Sequence, residues 1–341
     1  MSFSPTFLAE DNSASLLDTC IFFIVIESFF ITLMYTSRYL SSDNKANTWM
    51  TLLLTSAYCT CLSKITTAIL MVKIGGAGHH MPALEPSTIQ TLFKLLTAHQ
   101  IICPLTTSLT KLGILVLFNQ ILSRTSQLYK RAIQVTFVLV LLTAIVQVLI
   151  PFGNCKPFAF NWNKTIEGGS CAFNDLALWR YLTIPNVITT IMMVVIPLPA
   201  MYRLQVSTAT KAALYLVFSV AIVGFVAAIM RFHAFLAVKN FNDFSFEIIE
   251  PECWTIAESG IYLVVGVLPT LRPLVRQVCR DGKFDRLLSR SFGRSRKSAS
   301  ADTTKRDSAT SASMVEQKEM SSMPMKTGIE ARELEYSGSP V

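Results

Sequence analysis

Seven stretches of roughly 20 mostly apolar residues lie between Ser15 and Val275, separated by short polar loops. A hydrocarbon core about 30 Å thick takes about 20 helical residues to cross, and in lipid only a helix or a closed barrel satisfies its own backbone. The pattern therefore predicts an all-α, polytopic bundle of seven transmembrane helices. Composition agrees: of 341 residues, 51% are hydrophobic and 15% charged, against about 25% charged in an ordinary soluble domain. The spans are expected near Ser15–Tyr35, Trp49–Val72, Leu95–Phe118, Ala132–Pro151, Tyr181–Met201, Ala212–Leu236 and Cys253–Leu274. Tyr35, Trp49, Trp179, Tyr181, Trp254 and Tyr262 fall mostly near the ends of these spans, where amphipathic rings favour the headgroup layer.

Lysine and arginine bias orients the bundle. The short segment 1–14 carries Glu10 and Asp11 and no basic residue. Loops with Arg38 and Lys45, with Arg124, Lys130 and Arg131, and with Arg203 and Lys211 alternate with more acidic ones. By the positive-inside rule the N-terminus lies outside and the C-terminus in the cytosol. The first span lacks a basic n-region and a small-residue cleavage site, so it is expected to be retained rather than removed as a signal peptide. The net charge of +8 is concentrated after Arg272, which suits anionic lipid and argues against nucleic acid.

The segment between spans four and five holds Asn163-Lys164-Thr165, the one acceptor pattern for N-glycosylation with a permitted middle residue. It also holds Cys155 and Cys171, which in an oxidising compartment are candidates for a disulfide that closes the loop as a lid. Cys20, Cys59, Cys61 and Cys103 lie inside spans and are expected to pack. Cys59-x-Cys61 lacks accompanying histidines, so no metal site is expected. Gly75-Gly76-Ala77-Gly78 is read as a flexible turn without a phosphate-cradling motif, and no cofactor is expected.

Ionisable residues inside a membrane are costly unless paired or facing a polar cavity. The set is Glu27, Lys64, His99, Lys111, Arg231, His233 and Glu258. At about 1.5 Å per residue, Arg231 and Glu258 lie at similar depth below the outer face; with Trp254 and the unpartnered Lys64 they are the ligand-pocket candidates. Glu27 and Lys111 are level with one another and are expected to form a structural pair. Lys94, His79 and His80 are expected to be solvated at the outer surface. Pro185, Pro197 and Pro199 in span five, and Pro269 and Pro273 at the end of span seven, offer kinks. Residues 276–293 interleave basic and apolar side chains, fitting an interfacial helix. Residues 294–341 have a disordered composition, with Ser295, Ser298, Ser300 and Ser308 near basic residues as candidate phosphorylation sites.

The chain resembles the fungal rhodopsin-domain family of integral membrane proteins, often described as receptor-like. The likeness runs from about Leu16 to Val275. It is carried by Lys111-Leu-Gly-Ile-Leu-Val-Leu-Phe118, by Cys155-x-Pro157-x4-Trp162 with Cys171, and by Pro197-Leu-Pro199. Arg231, Trp254-x3-Glu258 and Leu268-Pro-Thr-Leu-Arg-Pro273 complete it. The family pattern usually has Ser where this chain has Gly113, Tyr with basic residues at Phe118-Asn119-Gln120, and Asp near Asn186. Retinal in seven-helix photoreceptors is held by a seventh-span lysine; Cys253–Leu274 contains none, so neither retinal nor a light response is expected. Asp-Arg-Tyr after span three and Asn-Pro-x-x-Tyr ending span seven are also missing.

The resemblance and architecture imply a plasma-membrane, receptor-like protein that senses a small or extracellular cue, with cytosolic partners at its tail. One alternative is a membrane protein of a secondary-metabolite gene cluster, working as a terpene cyclase-like intramembrane enzyme with Glu27 or Glu258 as the acid. The other is a transport or accessory protein, although an odd helix number without an evident repeat disfavours inverted-repeat transport.

Overall fold

The computed structural model describes residues 4–40, 48–122, 127–173, 175–198, 208–238, 243–271 and 274. Seven helices are long and apolar enough to cross a membrane. They are α1 (Ser13–Leu40), α2 (Thr48–Lys73), α3 (Pro86–Leu122), α4 (Gln127–Asn154), α5 (Asp175–Val195), α6 (Thr208–Ala237) and α7 (Ile249–Val267). A 3-10 turn, Leu268–Leu271, continues α7. Most helices extend past the apolar stretches that announce them, because the backbone stays helical through the headgroup zone where polar side chains are at ease. Helix α3 starts early: Pro86 occupies its first turn with φ already set, and the Glu85 carbonyl accepts from Thr88 and Ile89, each at 3.0 Å.

The helices pack in chain order around a ring, α1 closing on α7, while α7 also crosses α2 and α3. Burial identifies the centre. In α3 and in α7 with its flanking turns, 61% of the most apolar stretch is buried, against 22–33% in the other five spans. Those five turn apolar faces outward, with Phe22, Phe29, Val138, Leu149 and Ile188 all more than half exposed. In a membrane this is the lipid-facing surface. Lipid offers hydroxyls no partner, so Thr19, Thr32, Thr66 and Thr143 each donate to the carbonyl four residues back.

Close approach of α1 to α7 depends on Gly260. A Cβ there would lie 2.3 Å from the Phe23 ring and 2.9 Å from Glu27 Oε1. Both buried glycine neighbours therefore sit where any side chain would have to displace them.

The segments at one end of the bundle are built rather than loose. Cys155–Lys156 (β1) pairs antiparallel with Ser170–Cys171 (β2), Cys155 opposite Cys171, and the two cysteines form the disulfide. Asn154 secures the hairpin, its carbonyl accepting from Ala172 N–H at 2.7 Å and its Oδ1 from Phe173 N–H at 3.0 Å. At the same end the glycine-rich run, expected as a flexible turn, is packed. Gly78 has φ of +103° and a Cβ there would strike Ser13. Its carbonyl accepts from Asn12 N–H and its N–H donates to the Ser245 carbonyl. The Ser13 backbone N–H donates to Asp11 Oδ1 at 2.8 Å and holds that carboxyl below its ordinary pKa.

His80, expected in solvent, is 3% exposed. Its ring lies between Phe7, 3.7 Å away, and Phe246, 4.3 Å away. Its nitrogens face Asp243 and Glu10. His79 is half-buried in a backbone bridge with Asp11, and Lys94 is exposed as expected. Among the aromatic residues assigned to the headgroup layer, Tyr35, Trp49 and Tyr181 are exposed. Tyr262 is instead a core residue, 2% exposed, whose hydroxyl donates to Thr190. Lys45, Arg124, Pro199, Arg203, Pro273, the basic segment 276–293 and the tail with Ser295, Ser298, Ser300 and Ser308 lie outside the described residues.

Candidate functional site

A cavity of about 100 Å³ opens among α3, α4, α5, α6 and α7, in the half of the bundle that carries the disulfide. Its apolar wall includes Leu96, Trp179, Leu182, Phe235 and Ile248. Trp179 packs against the Phe244 ring, 5.0 Å away, which connects the cavity to the packed end segments. Its polar wall includes His99 and Gln100 from α3, Asn186 from α5, Arg231 from α6 and Glu252 from α7.

Two ion pairs converge on it. Arg231 Nε lies 2.9 Å from Glu258 Oε2, and His99 Nε2 lies 2.9 Å from Glu252 Oε2, with every one of these side chains at most 8% exposed. The first pair belongs to a longer network. Asn186 Nδ2 donates to Glu258 Oε1 at 2.9 Å, while Asn186 Oδ1 accepts from Lys111 Nζ at 2.6 Å. Lys111 also donates to the Asn186 carbonyl and to Thr189 Oγ1. Two cations thus share one carboxylate through a neutral amide. In the second pair, Thr67 Oγ1 donates to the Lys64 carbonyl and so can only accept from His99 Nδ1, 3.0 Å away. Both imidazole nitrogens face acceptors, an arrangement that suits the charged ring beside Glu252.

The sequence candidates divide. Arg231 and Glu258, placed level by residue count, meet as an ion pair, and Arg231 lines the cavity. Trp254 is half-buried and Lys64 buried, and neither lines it. Lys64 Nζ donates to the Thr255 carbonyl at 2.9 Å and to Ser259 Oγ, uncharged groups of α7, and the buried carboxylate it acts on is Glu27. The expected Glu27–Lys111 pair is not formed. Lys111 faces α5, whereas Glu27 packs against Gly260 of α7, with Cys61 and Lys64 of α2 as its neighbours. Equal depth does not place two side chains on facing helix sides. His233 is exposed and turned away from the interior, and Cys59 is exposed, while Cys20 and Cys61 are buried packing residues.

Four residues were not among the sequence candidates. Glu252 lies one residue before the expected start of span seven, whereas the helix begins at Ile249. Gln100 and Asn186 are uncharged, so a search for costly charges passes over them. Arg180 caps α6 by donating from Nε to the Phe235 carbonyl at 3.1 Å and from Nη2 to those of Leu236 and Val238, a cation at a helix C-terminus.

Similarity to known proteins agrees with this architecture. A protein of Metarhizium anisopliae named "Polyenoic acids biosynthesis gene cluster protein Ba17b" is 27% identical over 223 residues, 62% of this chain and 60% of that protein. A "SAT4 family membrane protein" of Emericella nidulans is 26% identical over 229 residues, 67% of this chain and 57% of that protein. The chain thus spans about three fifths of the length of these relatives. No solved structure matches it. The pattern described as "Fungal rhodopsin domain" matches residues 31–277, so the chain is an integral, multi-pass membrane protein that belongs to the fungal rhodopsin domain family.

Proposed function

We propose that this protein is a receptor-like membrane protein that binds a small molecule, without retinal, in the cavity among α3–α7. Its support is the wall of that cavity: an apolar surface interrupted by a few buried, oriented polar groups, the usual make-up of a small-molecule site. The Arg231–Glu258–Asn186–Lys111 network ties α3, α5, α6 and α7 together beside it, so a ligand that perturbs Arg231 reaches four helices at once. The proposed orientation puts this half outside and the tail in the cytosol, at the plasma membrane. The disulfide and the Asn163 acceptor at one end, and the basic loops at the other, favour it. In that orientation the tail meets anionic lipid and a cytosolic partner.

The test fills the cavity. Thr183 is 5% exposed and lines it; Thr183→Phe should abolish the host's transcriptional response to extracellular cues as completely as deletion of the gene. A variant that reaches the membrane in normal amount and responds like wild type removes the cavity from the sensing role.

A second reading is a membrane protein of a biosynthetic gene cluster, acting as an enzyme, carrier or accessory protein. The name of the Metarhizium relative favours it. For an enzyme the acid facing the cavity is Glu252 rather than Glu27 or Glu258. A changed metabolite profile in the deletion strain, with no change in response to external cues, supports this reading over sensing.

A further inference from the structure

The cavity's polar atoms are almost all accounted for, and what remains is one-sided. Gln147 Nε2 donates to the Leu182 carbonyl at 2.6 Å, and Thr183 and Thr255 donate to carbonyls of their own helices. His99 and Glu252 face one another, and Asn186 is used at both ends of its amide. Among the residues lining the cavity, the buried atoms that have neither a hydrogen bond nor an ion-pair contact are Arg231 Nη2 and Gln100 Nε2, since His99 Nε2, Arg231 Nε and Glu252 Oε2 are held in the two ion pairs. Both are N–H donors, both belong to residues lining this cavity, and they come from different helices, α6 and α3. A buried donor without an acceptor forfeits about 1–3 kcal/mol relative to a satisfied one, more when charged, so the pair is suited to a guest that only accepts.

Charge narrows the guest further. Arg231 and Lys111 bring two positive charges to the single carboxylate of Glu258, because residue 186 is the neutral Asn. The His99–Glu252 pair adds one cation and one anion. The balance favours one negative charge. A carboxylate has that charge, accepts without donating and matches one guanidinium N–H plus one amide N–H.

Resting on the reading of this cavity as a ligand site, we infer that it takes an organic carboxylate. The carboxylate oxygens accept from Arg231 Nη2 and Gln100 Nε2, and the apolar body lies along Leu96, Trp179, Phe235 and Ile248. The same chemistry is offered by a short acid arriving from solution and by a long-chain acid partitioned in the bilayer.

The full chain in phosphatidylcholine nanodiscs provides the test, with thermal unfolding as the readout. The probes are octanoate from solution, oleate from the bilayer, and methyl octanoate and octylamine as neutral and cationic counterparts. At saturation one or both acids should raise Tm by about 5 °C. A response to octanoate assigns the soluble source, and a response to oleate alone the bilayer. Gln100→Leu should weaken the acid's apparent affinity by roughly tenfold while leaving the unliganded Tm unchanged or higher. Asn186→Asp, which supplies the missing negative charge, should weaken it as well. Stabilisation by the ester or the amine equal to that by the acid overturns the carboxylate assignment and leaves the cavity a binding site. No shift with either acid overturns the assignment too, while the sensing role is decided separately by Thr183→Phe. Unchanged acid affinity in Gln100→Leu overturns the proposed contact.

Discussion

At Arg231 one guanidinium nitrogen meets a carboxylate and another meets no acceptor, which makes it both structural and available. A buried pair gains little over an apolar replacement, but removing one partner strands the other charge at about 3–5 kcal/mol. Arg231→Met and Glu258→Met should therefore each lower stability by a few kcal/mol, and the double variant should regain only part of the loss because Lys111 then keeps no carboxylate in its network, as read from unfolding in nanodiscs. Glu27 and Lys111 provide the contrast. With no contact between them, the same double-mutant cycle on Glu27→Met and Lys111→Met should give a coupling under about 0.5 kcal/mol; a coupling above about 1 kcal/mol would contradict the separation of these side chains. Lys64 carries the same lesson from the other side. Its amine donates to Ser259 and the Thr255 carbonyl, and the carboxylate it acts on is Glu27 of the neighbouring helix rather than a residue matched to it by depth.

Helices α1 and α7 touch because residue 260 has no side chain. Gly260→Leu should force Phe23 and Glu27 apart and destabilise the protein by about 1–3 kcal/mol, seen as a lower Tm. Gly153, whose added Cβ would meet nothing within 4 Å, should tolerate Ala with little change. Element boundaries governed which residues were visible as candidates. Starting span seven at Cys253 excluded Glu252, although the apolar count that set this boundary says nothing about where a helix first forms its turns. Helix α3 has Pro104 inside it, which takes away the N–H that would reach the Gln100 carbonyl; this lies beside the cavity and was not among the prolines singled out as kinks.

For the whole molecule, topology has a direct test. Asn163 Oδ1 accepts from Thr165 Oγ1 at 2.6 Å and from Thr165 N–H at 3.2 Å, and Asn163 is half-buried rather than enclosed. With the disulfide end outside, the wild-type protein should lose mass on endoglycosidase treatment and Asn163→Gln should not; an unglycosylated wild type expressed in its host argues for the opposite orientation. The order of residues by itself determined that seven helices cross a bilayer, that Cys155 and Cys171 share a segment, and that Arg231 and Glu258 share a depth. These follow from length, hydropathy and rise per residue, which are properties of each helix taken alone. Tertiary structure decided rotation and neighbours. It turned Lys111 toward Asn186 instead of Glu27, buried His80 between two rings, and gathered Gln100, Arg231 and Glu252 around one cavity. A helix fixes the height of its side chains, but only packing against other helices fixes the direction in which each one points.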